Sequence, residues 1–454
     1  MGRRVVIIGG DAAGMTAASA VRRRLPDADE VIVLERGHRT SYSACGIPYW
    51  VAGEVESADA LVARTPEQHI QNGIDLRLGV EATAINPKAQ TVTVHGGETV
   101  SYDRLVIATG AEPIRPNLPG ISGDGIYGVQ SLDDGQALID GLADGPRRIV
   151  VVGSGYIGLE IAEACVTRGF DTTVIERADT PLRIVETELG EQIADAMRAG
   201  GIHLRAGASV TGFELDPSGC VVAVKTDAGP VPADLVVLGL GVTARSGLAA
   251  DAGLPRGPKG GIVVDEHQRV EGFPQIWAAG DCVATRIRVT GEPSTCRWAP
   301  TPTSRGWWPA TASWPQLLGE EPQLSFPGVV QTAITKFCSL EISRTGLGRE
   351  QAVEAGFDPV VVSIETTNFA GYMPSPGTMT VLMIADRTSR RLLGAQIVGA
   401  EDSALRIDVA GTALAAAMTV DDVVMLDLAY APPFSSVWSP IQVAARAMVK
   451  ALAG

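Results

Sequence analysis

The segment SYSACGIPYW, residues 41–50, places one cysteine, Cys45, between small residues and a Gly-Ile-Pro turn. A lone cysteine is most often a buried small hydrophobe, whereas a thiolate is a nucleophile and a redox group. Cys45 precedes an expected helix, so we expect the positive end of the helix dipole to lower the pKa of its thiol. No second cysteine stands in CxxC or CxxxxC spacing, and Trp50 occupies the position five residues on. A redox role for Cys45 therefore requires a second sulfur from its substrate.

Two glycine-rich turns have the pattern of dinucleotide-binding sites. The first lies in RRVVIIGGDAAGMTAASAVRR, residues 3–23, between a short apolar strand and a small-residue helix. Gly9 suits the tight turn and Gly14 suits close packing of helix on strand, while the helix dipole favours a pyrophosphate. Asp11 replaces the middle glycine of GxGxxG. Glu35 nevertheless ends the next strand 21 residues after Gly14, where an acid hydrogen-bonds a ribose hydroxyl.

The second turn carries the full motif. In RRIVVVGSGYIGLEIAEACVTRGFDTTVIER, residues 147–177, Gly153, Gly155 and Gly158 fill GxGxxG, and Glu176 ends the following strand. This acid favours the free 2′-hydroxyl of NADH, whereas the adjacent Arg177 suits the 2′-phosphate of NADPH, so both remain open. Two such units, 144 residues apart, predict two dinucleotides.

The composition indicates a globular chain in a reducing compartment. The 454 residues include 52 glycines, are 45% hydrophobic and carry a net charge of −15, which disfavours nucleic acid or an anionic membrane as partner. The six cysteines show neither zinc spacing nor a disulfide framework, so we expect no metal site. The N-terminal apolar stretch is too short for a signal peptide and no apolar run could span a bilayer, so we expect a cytoplasmic protein.

The order of these signals resembles a known flavoprotein family. DRLVIATGAEP (103–113) and FPQIWAAGDC (273–282) are further strands that end in glycine. Together with the two turns, they resemble the pyridine nucleotide–disulfide oxidoreductases, in which FAD occupies the first unit and NAD(P)H an inserted second unit. The resemblance implies an α/β fold of two Rossmann-like domains, one inserted in the other, plus a C-terminal α+β dimerisation domain. The implied boundaries are 1–120 and 252–325 for FAD, 121–251 for NAD(P)H and 326–454 for dimerisation.

The resemblance also nominates residues for each nucleotide. The positions implied to bind FAD lie in the first turn, after the strands of its sheet and beside the cysteine: Gly9, Gly10, Ala12, Ala13, Gly14, Glu35, Arg36, Ser43, Val80, Ala108, Thr109, Gly110, Gly280 and Asp281. The positions implied to bind NADH or NADPH lie mostly in the second turn: Gly153, Gly155, Tyr156, Ile157, Gly158, Glu160, Glu176, Arg177 and Gly241.

The single cysteine indicates one branch of the family. SYSACGIPYW, FAGYMPSPG (369–377) and DLAYAPPFSSVWSP (427–440) resemble coenzyme A disulfide reductases and their close relatives. NADH oxidases and NADH peroxidases share the single cysteine but carry a histidine in the first turn, where this chain has Ala12. We therefore place them below the CoA disulfide reductases and keep NADH oxidase as an alternative. CoA-dependent persulfide or polysulfide reductases are another. The implied activity is NAD(P)H-dependent reduction of CoA disulfide, or a related small disulfide, by a homodimer.

The implied cycle passes through a mixed disulfide between Cys45 and CoA. The leaving thiolate needs a proton donor, for which the resemblance nominates Tyr430, with Tyr372 as its partner and both exchanged between subunits. Ala44 stands where the branch often has an asparagine that hydrogen-bonds the substrate or the thiolate, so other small disulfides stay open. Substrate-binding positions are implied at Thr16, Arg23, Ser41 and Trp438.

Residues 294–315, STCRWAPTPTSRGWWPATASWP, depart from the family. They hold four of the seven tryptophans, at a place where the family has a helix whose N-terminus faces the flavin. We hypothesise a pair of compensating frameshifts near 293 and 316, because a shifted frame can restore a family-like sequence. If these residues are genuine, the flavin-facing helix is altered, and an impaired or non-enzymatic flavoprotein becomes the alternative.

Overall fold

The first parallel sheet is built around the apolar strand Arg4–Ile8, in which Val5 to Ile8 are all buried. The computed structural model describes residues 2–26, 29–257, 259–294 and 325–454. Strands buried on both faces are typical of parallel sheets covered by helices. In spatial order, the strands are Ile276–Ala278, Arg104–Ile107, Arg4–Ile8, Glu30–Glu35 and Asp75–Leu78.

A second parallel sheet is inserted in the sequence between two strands of the first. The chain leaves the first sheet after Arg104–Ile107 and returns to it with Ile276–Ala278. Between them, an antiparallel pair of Ala111–Pro113 and Val242–Ala244 links the outgoing and returning segments. The inserted sheet has the order His203–Arg205, Asp171–Ile175, Arg148–Val152, Leu235–Leu238 and Ile126–Tyr127.

The C-terminal part forms an antiparallel sheet, and the predicted α/β fold class with an α+β C-terminal unit is confirmed. A small-residue pattern predicts a helix from Asp402 to Met418, but the α-helix runs only over Ile407–Ala415, after a 3₁₀ turn at Ala404–Arg406. Asp402 has a φ of +67°, which a right-handed helix does not accommodate. The strands lie in the order Ala333–Phe337, Leu340–Gly346, Leu392–Gly399, Thr378–Asp386 and Pro359–Thr367.

The remaining elements cover or connect these sheets. None of the helices in the described ranges has the length and apolar character needed to cross a bilayer. The helices are Ala12–Arg22, Ile47–Ala52, Pro66–Gln71, Leu132–Ala143, Tyr156–Thr167, Thr187–Ala199, Gly247–Asp251, Arg349–Glu354, Val420–Val424 and Pro440–Ala451, with 3₁₀ turns at Ala44–Gly46 and Ala58–Leu61. The antiparallel ribbons are Ala82–Asn86, Thr91–Val94 and Thr99–Ser101; Val210–Leu215, Val221–Thr226 and Val231–Pro232; and Val283–Arg286 with Pro293–Ser294, the former also pairing in parallel with Ile262–Val263.

One hydrophobic core joins the segment around Cys45 to the other two units. Ile47 and Trp50 belong to the same buried cluster as Leu159 of the second unit and Phe337 of the C-terminal unit. Burying a large apolar side chain contributes about 1.5–3 kcal/mol, so this packing fixes the short helix that follows the cysteine. Arg168 strengthens the contact by donating a hydrogen bond to the carbonyl oxygen of Val51 at 3.1 Å. Cys45 is therefore held where the three units meet.

Candidate active site

The first glycine-rich turn lies at the carboxyl end of strand Arg4–Ile8. Gly9 has a φ of +109°, and a Cβ there would lie 2.2 Å from the carbonyl oxygen of Ala108. A Cβ on Gly14 would lie 1.8 Å from the carbonyl oxygen of Gly9, so neither position admits a side chain. The turn therefore leaves the backbone amides at the start of helix Ala12–Arg22 accessible to an anionic ligand.

Glu35 closes the opposite side of this turn. Its carboxylate accepts hydrogen bonds from the backbone amides of Gly10 and Gly37, each at 2.6 Å. Its carbonyl oxygen accepts a hydrogen bond from the backbone amide of Val80 at 2.9 Å. The acid is thus fixed at the carboxyl end of its strand, at the place where a ribose hydroxyl is bound in dinucleotide folds.

Other positions implied to bind FAD lie around the same edge of the sheet. A Cβ on Gly280 would lie 3.0 Å from the Cβ of Ala13. The Thr109 hydroxyl donates a hydrogen bond to the carbonyl oxygen of Arg245 at 2.6 Å. The pKa of the Arg245 guanidinium is lowered, mainly by burial and in smaller part by the positive charge of Arg36. Strand Arg104–Ile107 is followed directly by Ala108, Thr109 and Gly110. The amide of Ser43 donates a hydrogen bond to the carbonyl oxygen of Leu61 at 2.8 Å.

An acidic cluster surrounds the first turn. The pKa of Asp11 is raised to about 6, mainly by burial and in smaller part by the negative charges of Glu35 and Asp281. The Asp11 carboxylate accepts a hydrogen bond from the backbone amide of Tyr42 at 3.3 Å. This bond lowers the pKa of Asp11 and so opposes the effect of burial. Asp11 thereby connects the turn to the segment that carries Cys45.

The second glycine-rich turn repeats this geometry. Gly153 has a φ of +97°, and a Cβ on Gly158 would lie 2.0 Å from the carbonyl oxygen of Gly153. Gly155 caps the helix Tyr156–Thr167 with an extended backbone. A Cβ on Gly241, at the same edge of the sheet, would meet no atom of the described residues within 4 Å. The turn has the room and the amides that a second pyrophosphate requires.

Glu176 is positioned by a residue that the sequence motif did not single out. Its carboxylate accepts hydrogen bonds from the backbone amide of Ser154 at 3.0 Å and from the Ser154 hydroxyl at 2.7 Å. The amide of Ala178 donates to its other oxygen at 2.8 Å. Arg177, the neighbour that suits a 2′-phosphate, is exposed. Ser154 stands at a variable position of GxGxxG, which explains why the pattern does not reveal it.

The cysteine segment begins with a backbone in an unusual conformation. Ser41 has a φ of +52°, and its hydroxyl lies 2.9 Å from Nε2 of His69. Cys45 then lies in the 3₁₀ turn Ala44–Gly46, directly before helix Ile47–Ala52. The residue as a whole is exposed to solvent.

The expected lowering of the Cys45 pKa by a helix dipole is wrong. Protein atoms packed around the thiol desolvate it and raise its pKa, and the charges of Glu160 and Asp281 raise the pKa further. The following helix has only six residues, and the carboxylates around the thiol oppose its dipole. Asp281 belongs to the first unit and Glu160 to the second, so Cys45 lies between the two.

Glu160, implied by resemblance to contact NAD(P)H, faces the interior of this junction. Burial raises the pKa of its carboxyl to about 7, and its Oε1 accepts a hydrogen bond from the Thr335 hydroxyl at 3.0 Å. Thr335 belongs to the C-terminal unit. Burial raises the pKa of Tyr49, in the helix that follows Cys45, and the charge of Glu160 makes a smaller contribution in the same direction. Local sequence patterns do not predict that Glu160 interacts with Thr335 and Tyr49, because these residues are far from it along the chain.

The positions implied to bind substrate differ in their availability. The Thr16 hydroxyl donates to the carbonyl oxygen of Ala12 at 2.6 Å, so only its oxygen remains to accept a bond. Arg23 is exposed at the end of its helix, whereas the adjacent Arg22 donates to the carbonyl oxygens of Leu25, Pro26 and Asp29. Trp438 is half exposed, with the guanidinium of Arg446 4.6 Å from its ring centroid.

Tyr372 and Tyr430 lie together on the C-terminal unit. A hydrogen bond to Tyr430 raises the pKa of the Tyr372 hydroxyl, so the two phenolic groups are in contact. Arg406 joins the two loops that carry the pair by donating to the carbonyl oxygens of Asn368 and Phe434. The pair that the resemblance nominates is therefore brought together.

Within one chain, the contacts described for the tyrosine pair and for the cysteine involve different residues. Across residues 2–26, 29–257, 259–294 and 325–454, no hydrogen bond or ion pair links Tyr372, Tyr430 or Trp438 to Cys45. The departure at 294–315 lies, from 295 onward, outside the described residues, as does Cys296. Of the other cysteines, Cys165 is buried and Cys338 is exposed.

Comparisons with known proteins match both parts of this arrangement. A family model described as pyridine nucleotide-disulphide oxidoreductase matches residues 3–300, and its dimerisation domain matches residues 332–440. An NAD(P)H coenzyme A polysulfide/persulfide reductase from Pyrococcus horikoshii is 35% identical over 99% of each chain. An NADH oxidase from Methanocaldococcus jannaschii is 32% identical over 99% of each chain, and a coenzyme A disulfide reductase from Staphylococcus haemolyticus is 28% identical over 95% of this chain and 96% of its own.

Proposed function

Because the chain belongs to the pyridine nucleotide-disulphide oxidoreductase family, we propose that it reduces CoA disulfide, or a related small disulfide, at Cys45. The family uses FAD and NAD(P)H, and the chain is an oxidoreductase of this class. The observation that supports the finer proposal is the location of Cys45 between carboxylates of both units, Asp281 and Glu160. The place of a second cysteine is taken by Trp50, whose side chain is buried. The second sulfur then comes from the substrate.

Both turns fit a dinucleotide by shape. A Cβ on Gly110, beside the first turn, or on Gly241, beside the second, would meet no atom of the described chain within 4 Å, so space for a ligand faces each turn. Glu35 and Glu176 offer fixed carboxylates for ribose hydroxyls. FAD would be held at the first turn and NAD(P)H at the second. When bound, FAD supplies a two-electron relay between NAD(P)H and the sulfur of Cys45.

The proposed reaction consumes one NAD(P)H, one proton and one CoA disulfide, and it yields NAD(P)⁺ and two CoA thiols. The Cys45 thiolate attacks one sulfur of the substrate, forming a mixed disulfide while the substrate S–S bond breaks. The leaving CoA thiolate takes up a proton. Two electrons and a further proton then cleave the mixed disulfide, which releases the second CoA thiol and restores the Cys45 thiolate. Since the Cys45 pKa is raised, the first step should accelerate as pH increases.

The tyrosine pair offers a proton donor for the leaving thiolate. A hydrogen bond between the two hydroxyls uses only one of their protons, and the other can be donated outward. Its side chain is half exposed, so it can meet a group from another molecule. We assign Tyr430 as the proton donor and Tyr372 as the residue that orients it.

A homodimer would bring this donor to the cysteine. Large apolar side chains are exposed on the C-terminal unit near the tyrosines, where water contact is unfavourable: Leu405 (70%), Met425 (82%), Phe434 (73%) and Val437 (67%). The unit also matches a dimerisation domain. We therefore propose that two subunits pack through this face and that Tyr430 of each serves Cys45 of the other.

A CoA persulfide or polysulfide is the second candidate substrate. The relative from Pyrococcus horikoshii, named a coenzyme A polysulfide/persulfide reductase, favours it, since its identity of 35% exceeds the 28% of the relative named a CoA disulfide reductase. The same attack by Cys45 would then release sulfide in place of one CoA thiol. NADH oxidation by oxygen is disfavoured, because Ala12 stands in the first turn where NADH oxidases carry a histidine.

The test is an anaerobic assay of NADH and NADPH oxidation with CoA disulfide, CoA persulfide or buffer alone, together with an aerobic assay without sulfur substrate. We expect two CoA thiols per nucleotide with CoA disulfide and loss of this turnover in Cys45→Ser. The matched control is Cys338→Ser, which removes another exposed thiol and should keep the activity. Sulfide release with CoA persulfide as the preferred substrate would select the second candidate. Turnover with oxygen alone would overturn both.

A further inference from the structure

His69 is a buried imidazole that the proposed reaction does not use. It lies in helix Pro66–Gln71, its side chain is only 2% exposed, and its Nδ1 atom has no hydrogen-bond partner among the described residues. Its Nε2 atom lies 2.9 Å from the hydroxyl oxygen of Ser41. Ser41 is one of the positions implied to bind substrate, so this inference rests on the proposed function.

Ser41 is held in its conformation from several sides. Its φ of +52° is uncommon for a residue with a side chain, and such conformations persist when neighbouring contacts fix them. The carbonyl oxygen of Ser41 accepts the amide of Ala63 at 2.8 Å, and the adjacent Thr40 hydroxyl donates to the carbonyl oxygen of Gly10. These bonds fix the Ser41 backbone, and its hydroxyl oxygen lies beside His69, so what remains to be set is the direction of its hydroxyl proton.

The tautomer of His69 sets that direction. A neutral imidazole carries its proton on one nitrogen, and burial, followed by the positive charge of Arg64, lowers the His69 pKa and favours the neutral ring. A proton on Nδ1 would be a buried N–H without an acceptor, and such groups are rarer than buried acceptors without a donor. The tautomer with its proton on Nε2 avoids this cost, and in that tautomer Nε2–H donates to the oxygen of Ser41.

We propose that His69 makes Ser41 a hydrogen-bond donor toward the substrate. With its oxygen occupied by Nε2–H, the Ser41 hydroxyl directs its own proton away from His69, toward an acceptor oxygen of the bound CoA moiety. The Thr40 hydroxyl oxygen, 3.4 Å from that of Ser41, is a distant competitor that a ligand oxygen at ordinary hydrogen-bond distance displaces. CoA offers acceptors of two kinds, phosphate oxygens and pantetheine carbonyl oxygens. His69 is thus a positioning residue for substrate binding.

The experiment compares three variants in the full-length holoenzyme. His69→Gln keeps an N–H near the position of Nε2, His69→Asn places it near the position of Nδ1, and His69→Phe has none. A hydrogen bond from a fixed donor to a charged or polar acceptor is worth about 1–3 kcal/mol, so we expect the KM for CoA disulfide to rise about 5- to 100-fold in His69→Phe and His69→Asn. In His69→Gln we expect KM to stay within about threefold of the wild type, and kcat to change little in all three.

Two further measurements locate the acceptor and separate this inference from the proposed function. Pantethine, which lacks the phosphates, should show no rise in KM in His69→Phe if the acceptor is a phosphate, and the same rise if it is a pantetheine carbonyl. Nitrogen-15 NMR of histidine-labelled enzyme reports the tautomer directly, with the His69 signals assigned by their loss in His69→Gln. A proton on Nδ1 overturns the inference whichever substrate is turned over. Equal losses in all three variants, shared by kcat and KM, would also overturn it, because they indicate a merely structural role.

Discussion

The two glycine-rich turns have nearly the same backbone but differ at their middle position. Gly9 and Gly153 have φ values of +109° and +97°, and the Cβ of an alanine at Gly14 or Gly158 would collide with the carbonyl oxygen of the respective first glycine. Each turn is followed by a strand that ends in a fixed glutamate. The middle residue is Asp11 in the first turn and Gly155 in the second.

The difference shows that the outer glycines are required by the backbone and the middle glycine is not. Asp11 has φ and ψ of −110° and −158°, and Gly155 has −70° and −175°, so both are extended and accessible to any residue. A Cβ on Gly155 would come no closer than 4.0 Å to another atom of the described residues. We therefore expect the middle glycine of the second turn to matter for the approach of a ligand, whereas Asp11 accepts a hydrogen bond from the amide of Tyr42 in the cysteine segment.

The largest expected effect comes from the outer glycines of each turn. In Gly14→Ala the new Cβ would lie 1.8 Å from the carbonyl oxygen of Gly9, so the turn must deform and we expect the purified protein to lose most of its flavin. Gly158→Ala creates the same clash at 2.0 Å in the second turn and should retain flavin while losing NAD(P)H binding. Flavin absorbance and nucleotide titration measure the two outcomes. Full flavin content in Gly14→Ala would show that the first turn does not require a glycine at this position.

The middle position should respond differently in the two turns. Gly155→Asp leaves the backbone of the second turn intact but places a carboxylate where the nucleotide approaches, so we expect about a 10- to 100-fold loss of NADH affinity. Gly155→Asn is the matched uncharged control and should lose less. Flavin content should not change in either variant. Wild-type affinity in Gly155→Asp would show that the middle glycine is not needed for ligand approach.

Asp11 should make the stability of the holoenzyme depend on pH. The Asp11 pKa is about 6 in the fold against 3.8 for a free side chain, so the folded protein binds more protons between these values. The free energy of unfolding therefore falls as pH rises from about 4 to 6, by at most about 3 kcal/mol for this shift. Asp11→Asn, which keeps an acceptor for Tyr42, should be more stable than the wild type at pH 8 and equal to it near pH 3.5. Denaturant unfolding at both pH values tests this, and an equal difference at both would contradict it.

A smaller effect is expected at the helix that follows the second turn. Because the charge of Glu160 raises the Cys45 pKa in addition to burial, Glu160→Gln should increase alkylation of Cys45 by about two- to tenfold at pH 8. The increase should be smaller at pH 6, where a carboxyl with a pKa of about 7 is mostly protonated. Glu163→Gln is the matched control, since Glu163, after burial, raises the pKa of Cys338. Iodoacetamide labelling followed by peptide mass analysis separates the two thiols, and an unchanged Cys45 rate would remove Glu160 from this role.

Local sequence patterns predict the elements that depend on neighbours along the chain. The strands, both glycine turns and the glutamates Glu35 and Glu176 lie where spacing places them, because strand–turn–helix units are local. The Cys45 pKa is not predictable in this way. It depends on Glu160 and Asp281, which lie more than 100 residues away in sequence and reach the thiol only through tertiary packing.

The same distinction applies within the site. Ser154 and His69 escape pattern reasoning because each acts on a partner chosen by the fold, Glu176 and Ser41 respectively. The pairing of Tyr372 with Tyr430 comes from family resemblance, since nothing in their spacing of 58 residues predicts contact. The approach of these tyrosines to Cys45 depends on the proposed second subunit, which a single chain does not contain.

Cys45 is proposed to carry the substrate sulfur at the junction of the two dinucleotide-binding units. The direct test is mass analysis of the Cys45 peptide after the holoenzyme is treated with CoA disulfide, and again after anaerobic addition of one equivalent of NADH or NADPH. We expect one CoA attached to Cys45 through a disulfide, removed by the nucleotide with release of one CoA thiol per subunit. An unmodified Cys45 in enzyme that still turns over CoA disulfide would contradict this role.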